Sequence, residues 1–218
     1  MNGILAVWND RSEAIKLDYE RWYMNEHIPE RLAVPGFRTA RRYEAIEADR
    51  AFFTYYEIDS PDVLADQAYT TRLANPTPLT RSIMPHFYGM VRSVFVEIVR
   101  EGDGIGGALV VARYMDGAPT SLPRAALQAV DRNEIVSAKV WQPAAANVRT
   151  DTPESRTRPE PDAVASGAIV VETTREPAAL ALATSLNREL SRASVSIGCY
   201  RLLCANSVST RTSGQGSS

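Results

Sequence analysis

Only two side chains in this 218-residue chain titrate near neutral pH by their ordinary chemistry, His27 and His86. His27 has the more suggestive setting. Tyr19, Trp22 and Tyr23 recur at the three- and four-residue spacing of one helical face, and Tyr23 stands four residues before His27. An imidazole at the end of an aromatic face, just before Pro29, could sit at a cavity mouth and both take and give a proton in one turnover. The plainer reading is a histidine favoured near a helix C-terminus by the dipole. Tyr23 and Arg42 are the candidate oxyanion partners, completing a catalytic set with His27. Trp22, Tyr43 and Tyr55 are the candidates to hold a flat apolar substrate, although aromatic residues more often serve as plain core. Arg41, Arg42 and Tyr43 run along a strand, so Arg41 and Tyr43 face one way and Arg42 the other. Which arginine faces a cavity is open. Glu26 and Glu30 flank His27 and could orient its ring or simply be solvated helix charges.

Other chemistries find no support. No Gly-x-Ser-x-Gly occurs, and Gly102-Asp103-Gly104-Ile105-Gly106-Gly107 is no phosphate loop, because no lysine follows and a strand rather than a helix comes next. Cys199 and Cys204 fall in one strand-like run, which separates them by about 17 Å, beyond the roughly 7 Å reach of a disulfide. A reduced, cytoplasmic protein is the expectation. No Cys/His spacing supports zinc, so neither metal nor cofactor is expected. The net charge of −2 and pI near 5.8 create no field for nucleic acid or anionic lipid. No apolar run reaches the roughly 20 residues of a membrane span, and the start lacks the charged region of a signal peptide. A small apolar molecule is left as the expected partner. A homodimer is open.

The elements that must position these residues follow from periodicity and turn chemistry. Residues 3–9 read as a strand, followed by a helix from about Ser12 that should kink or stop at Ile28–Pro29. Pro35-Gly36 forces a turn, and 37–47 and 51–58 form a hairpin. A helix from Ser60-Pro61 to about Leu73, a short one from Thr77-Pro78 to Met84 and a strand over 87–99 complete β-α-β-β-α-β. The order repeats more loosely: strand 108–114, helix 120–130, strand 135–141, strand 168–172, helix 177–190, strand 194–205. Residues 143–165, proline-rich and charged, read as an exposed insertion, and 207–218 as a frayed tail. The domains expected are therefore 1–101 and 108–206, joined by the glycine-rich 102–107.

Trp22-Tyr23 with Glu26-His27-Ile28-Pro29, then Pro35-Gly36-Phe37, then Arg42-Tyr43 resembles the dimeric α/β-barrel superfamily near its EthD-like branch, over about residues 1–100. The later residues match by element order alone. The resemblance implies an α+β fold of tandem ferredoxin-like units paired sheet to sheet, with a barrel-like interior ringed by four helices. Members of the superfamily include cofactor-free monooxygenases, lactone isomerases, polyketide cyclases and haem-dependent enzymes, so fold alone selects no reaction. The expectation is a cofactor-independent acid–base enzyme acting on an apolar carbonyl- or phenol-bearing molecule, with isomerisation, dehydration, decarboxylation or oxygenation as its reaction. A non-catalytic ligand-binding protein is one alternative. A haem enzyme is another, disfavoured because neither histidine lies in the second-half region where an axial ligand is expected.

Overall fold

The computed structural model describes residues 2–128, 130–145, 155–190 and 194–208. In the first half β1 (Gly3–Arg11) leads to α1 (Lys16–Trp22), a π turn (Tyr23–His27) and α2 (Ile28–Leu32). The hairpin β2 (Phe37–Glu47) and β3 (Phe52–Ile58) follows, then α3 (Gln67–Ala74), α4 (Pro78–Ile83) and β4 (Phe87–Glu101). The second half holds β5 (Ala108–Tyr114), α5 (Arg124–Leu127), β6 (Ile135–Pro143), β7 (Gly167–Thr173), α6 (Glu176–Glu189) and β8 (Val195–Ser207). Gly36 makes the turn into β2 at φ 90°, a conformation a side chain would resist.

Eight strands close one antiparallel barrel in the order β1-β3-β2-β8-β5-β7-β6-β4. Each half keeps its four strands adjacent, β4-β1-β3-β2 and β8-β5-β7-β6. The seams are β2 against β8 and β4 against β6, so every sheet edge is paired. Strand alternation then sorts side chains into two populations. Ile4, Ala6, Trp8, Tyr43, Phe53, Tyr55, Phe95, Val111, Trp141 and Tyr200 fill the lumen. Leu5, Phe52, Tyr56, Phe87 and Met90 face outward beneath the first-half helices. Val110, Ala138, Val140, Ile169 and Val171 do so beneath α6.

The barrel interior is solid. Trp8 stacks on Phe53 at 4.7 Å, and Tyr55 meets Trp141 edge-on at 5.1 Å. Aromatic strands on both alternations supply more side-chain volume than a lumen of eight strands leaves empty. Near one end of the lumen, charges from both halves meet. Arg41 donates to Glu172 Oε1 at 2.6 Å, Lys139 donates to the same oxygen at 2.8 Å, and the Gly106 N–H donates to Oε2 at 2.7 Å.

Other departures are local. The second-half helix expected over 120–130 shrinks to the single turn of α5, with residue 129 outside the described residues. Pro123 sits just before that turn, where its missing N–H costs nothing. Ser207, the first residue of the expected tail, is the last of β8, and 209–218 lie outside the described residues. Of the expected insertion, 146–154 also lie outside. Residues 155–165 are not a free loop: Ala163 pairs with Val91 in a parallel bridge, and Ala165 is buried. This stretch covers the part of β4 that β6, which pairs from Phe95 onward, does not reach.

Candidate functional site

Pro29 has no N–H, and in a regular helix its ring would strike the carbonyl four residues back. A kink or a stop at Ile28–Pro29 is the expected remedy, and the helix answers by widening. The Ile28 N–H reaches the Tyr23 carbonyl five residues back, and the helix runs on through Pro29 as α2. In a turn of this width, residues five apart lie over one another. Trp22 and His27 are such a pair, with ring centroids 4.1 Å apart at 31°. Tyr23 meets the imidazole edge-on at 5.3 Å, and Tyr56 approaches it from β3 at 6.3 Å.

Ring packing, rather than a carboxylate, sets the imidazole. Glu26 Oε1 accepts from the hydroxyls of Thr77 and Thr80, the latter at 2.8 Å, while Glu30 pairs with Arg72 at 3.6 Å. Glu26 acts one step removed, because Thr80 Oγ1 also accepts from Trp22 Nε1 at 2.9 Å and so fixes the indole that His27 rests on.

These rings line a pocket between the first-half helices and the outer face of the sheet. Leu5 and Val7 of β1, Tyr56, Tyr69, Leu73, Met84, Phe87 and Met90 supply its apolar walls beside Trp22, Tyr23 and His27. Arg31, Arg92 and Arg158 complete it. The empty space is about 560 Å³ with its mouth included, but the interior is narrow, with about 50 Å³ where the centre of a water molecule fits. That interior is smaller than the roughly 150 Å³ cavity that takes a benzene ring, so a ring-bearing ligand must occupy the mouth as well. His27 is half-buried and borders the pocket. Burial, followed by the charges of Arg31 and Arg42, holds its pKa well below the ordinary histidine value, so the imidazole is neutral at pH 7.

Three of the six residues singled out from sequence, His27, Tyr23 and Trp22, meet in this pocket. The other three do not. Tyr43 and Tyr55 point into the packed lumen, because β2 and β3 alternate between the barrel's two faces. Arg42 faces the helix side as a strand neighbour of Arg41 must, yet it stops beneath α1. It makes a bidentate pair with Glu20 at 2.6 and 2.8 Å, and lies under the Tyr19 and Tyr23 rings at 5.0 and 4.4 Å. A direct oxyanion role does not suit it there, since its side chain is 1% exposed and does not border the pocket. It is Arg41 that faces the lumen, and His86 is exposed and away from the pocket.

Sequence reading did not find Arg31, Arg92 or Arg158. Alternation along β4 could have placed Arg92 on the face of Met90, although Phe87 joins that face only through the bulge at Gly89. Nothing local marks Arg158, which comes from the second half and is held by Asp162, with Nε to Oδ1 at 2.9 Å. The cysteines are free, as their strand spacing requires. Cys199 is buried against the Ala179 carbonyl, and burial pushes its thiol up to about 12. Among the described residues no cluster of three His, Cys, Asp or Glu could hold a metal ion, and no helix is long and apolar enough to cross a membrane. A haem would need His27 or His86 as its ligand. His86 is outside the pocket and the narrow interior beside His27 does not admit a macrocycle, so the residues present do not fit a histidine-ligated haem.

No protein-family model matches this chain, and no curated protein does. Solved structures do match. An anthrone oxidase-like protein is similar over 94% of this chain and 92% of its own, with TM-score 0.54 and 9% identity. A candidate monooxygenase from Fusobacterium nucleatum is similar over 94% of each chain, with TM-score 0.50 and 8% identity. What they share with this chain is the fold, here a closed antiparallel barrel of eight strands. At these identities the likeness speaks for the fold and not for the reaction.

Proposed function

We propose that this protein is a small-molecule enzyme of the EthD-like type that works by acid–base catalysis without a cofactor, with His27 moving the proton. The observation that carries this reading is an imidazole stacked on Trp22 and bordering a pocket with mostly apolar walls; burial and the charges of Arg31 and Arg42 favour its neutral form. A flat molecule entering the slot would lie against Trp22, Tyr56 and Phe87. A C–H made acidic by a neighbouring carbonyl, or a phenolic O–H, would lose its proton to the imidazole. Tyr23, edge-on to the ring, is the nearest partner for the oxygen that gains charge. Arg42 supports Tyr23 from beneath and disfavours a charged His27, a positioning role. Oxygenation is the reaction type that the neighbours' names favour, with the deprotonated substrate giving electrons to dioxygen; isomerisation and decarboxylation begin from the same proton transfer.

The strand orders β4-β1-β3-β2 and β8-β5-β7-β6 also support reading the chain as two ferredoxin-like units in tandem, joined at 102–107. Only the first would be catalytic, because both histidines lie in it and the space beneath α6 is filled by Ala178, Ala179, Leu182 and Leu186. The test of the catalytic reading is His27→Ala. Loss of a base of this kind costs about a hundredfold or more in rate, and the variant should keep the wild-type melting temperature within a few degrees. Full activity in a folded variant would end the proposal.

A further inference from the structure

The pocket is apolar in its walls, yet Arg92 brings a positive charge to it from the middle of β4. Among the described residues Arg92 has no carboxylate partner. Its Nη2 donates to the Tyr69 hydroxyl at 3.1 Å, and its Nη1 is buried with no hydrogen-bond partner. A guanidinium left partly unpaired beside an apolar cavity is costly unless something completes it. Arg158 stands at the same pocket but is already matched by Asp162, both side chains being almost wholly buried. The strand beneath is held firmly, since the Arg92 N–H donates to the Ala163 carbonyl at 2.9 Å and Ala163 N–H returns a bond to Met90. The cation is thus carried on a rigid element, with one donor free, at a pocket walled by Trp22, Tyr56 and Phe87.

We infer that Arg92 anchors an anionic oxygen of the substrate, and that the substrate class is a flat, single-ring aromatic or enolic carboxylate rather than a neutral apolar molecule. The acid group would pair with Arg92 while the ring lies along Trp22 and Tyr56. This rests on the pocket assigned above, but not on His27 being a base. Benzoate and benzamide, nearly equal in shape and different in charge, are the probes, with binding followed by NMR chemical-shift changes of the intact chain. Wild type should bind benzoate at least tenfold more tightly than benzamide. Arg92→Gln should erase that preference, weakening benzoate far more than benzamide, and Arg92→Lys should restore part of it. His27→Ala should keep the preference even if it abolishes turnover, which separates failure of the anion site from failure of the catalytic reading. Equal affinities in wild type, binding of neither probe, or a preference that survives Arg92→Gln would overturn the inference. The wild-type comparison stands even if a variant fails to fold.

Discussion

An imidazole that resists protonation has a signature in pH. His27 is held below its ordinary value by burial and by Arg31 and Arg42. A solvent-exposed histidine base would lose half its activity near its unperturbed value of about 6.5. Here the acid limb of the rate profile should fall well below that, and Arg42→Gln should move it upward. Stability follows the same group with a definite sign. Below about pH 6.5 the unfolded chain binds a proton at His27 that the folded chain does not. The contribution is full above that pH and is lost as pH falls toward the folded value. Denaturant midpoints of wild type and His27→Gln should therefore converge between neutral pH and pH 5, and parallel curves would refute it. The residue types behind this were plain in the sequence, since one histidine stood in an aromatic run. The arginines that tune it were not, because a cation's distance from the ring depends on strand order and not on spacing.

At the scale of elements, the π turn decides where that ring lies. Sequence marked the disturbance at Ile28–Pro29 correctly but not its form, because a proline can be met by stopping a helix or by widening it. Local propensity does not choose between the two; the cost is settled by what packs on the widened turn, here Trp22 on His27. Pro29→Ala would remove the need for the wide turn. The helix should tighten, His27 should leave the indole face, and activity should fall tenfold or more while the melting temperature holds or rises. Unchanged activity together with unchanged Trp22 fluorescence would show that the turn does not depend on Pro29. The strands tell a related story. Alternation sets Tyr55 and Tyr56 on opposite faces, yet it does not say that the outward face, Tyr56's, keeps a pocket while the inward face packs solid.

For the whole molecule, the two halves are locked by more than their seams. Arg41 comes from the first half, while Lys139 and Glu172 come from the second, and all three are buried. Glu172→Ala would strand two cations in the lumen. Removing one partner of a buried ion pair costs about 3–5 kcal/mol, and a loss of this size should appear in urea unfolding as a lower midpoint. A loss below about 1 kcal/mol would mean that water reaches the cluster. The duplicated element order was legible because glycine and proline punctuate it. The closing contacts were not, since Arg41 and Glu172 are 131 residues apart and nothing in either neighbourhood announces the other.

In an assembly of two identical chains, any feature is present twice, and a segment that crosses to help one cavity must cross to the other as well. Joining both halves in one polypeptide lifts that obligation. The span holding Arg158 and Ala163 shows the result: one side reaches across to roof its neighbour's pocket, while the hollow on its own side is lined by other residues, among them Arg124, Val130 and Ala138. Such a molecule can refine a single chamber with material from both sides, and its catalytic stoichiometry should be one per chain.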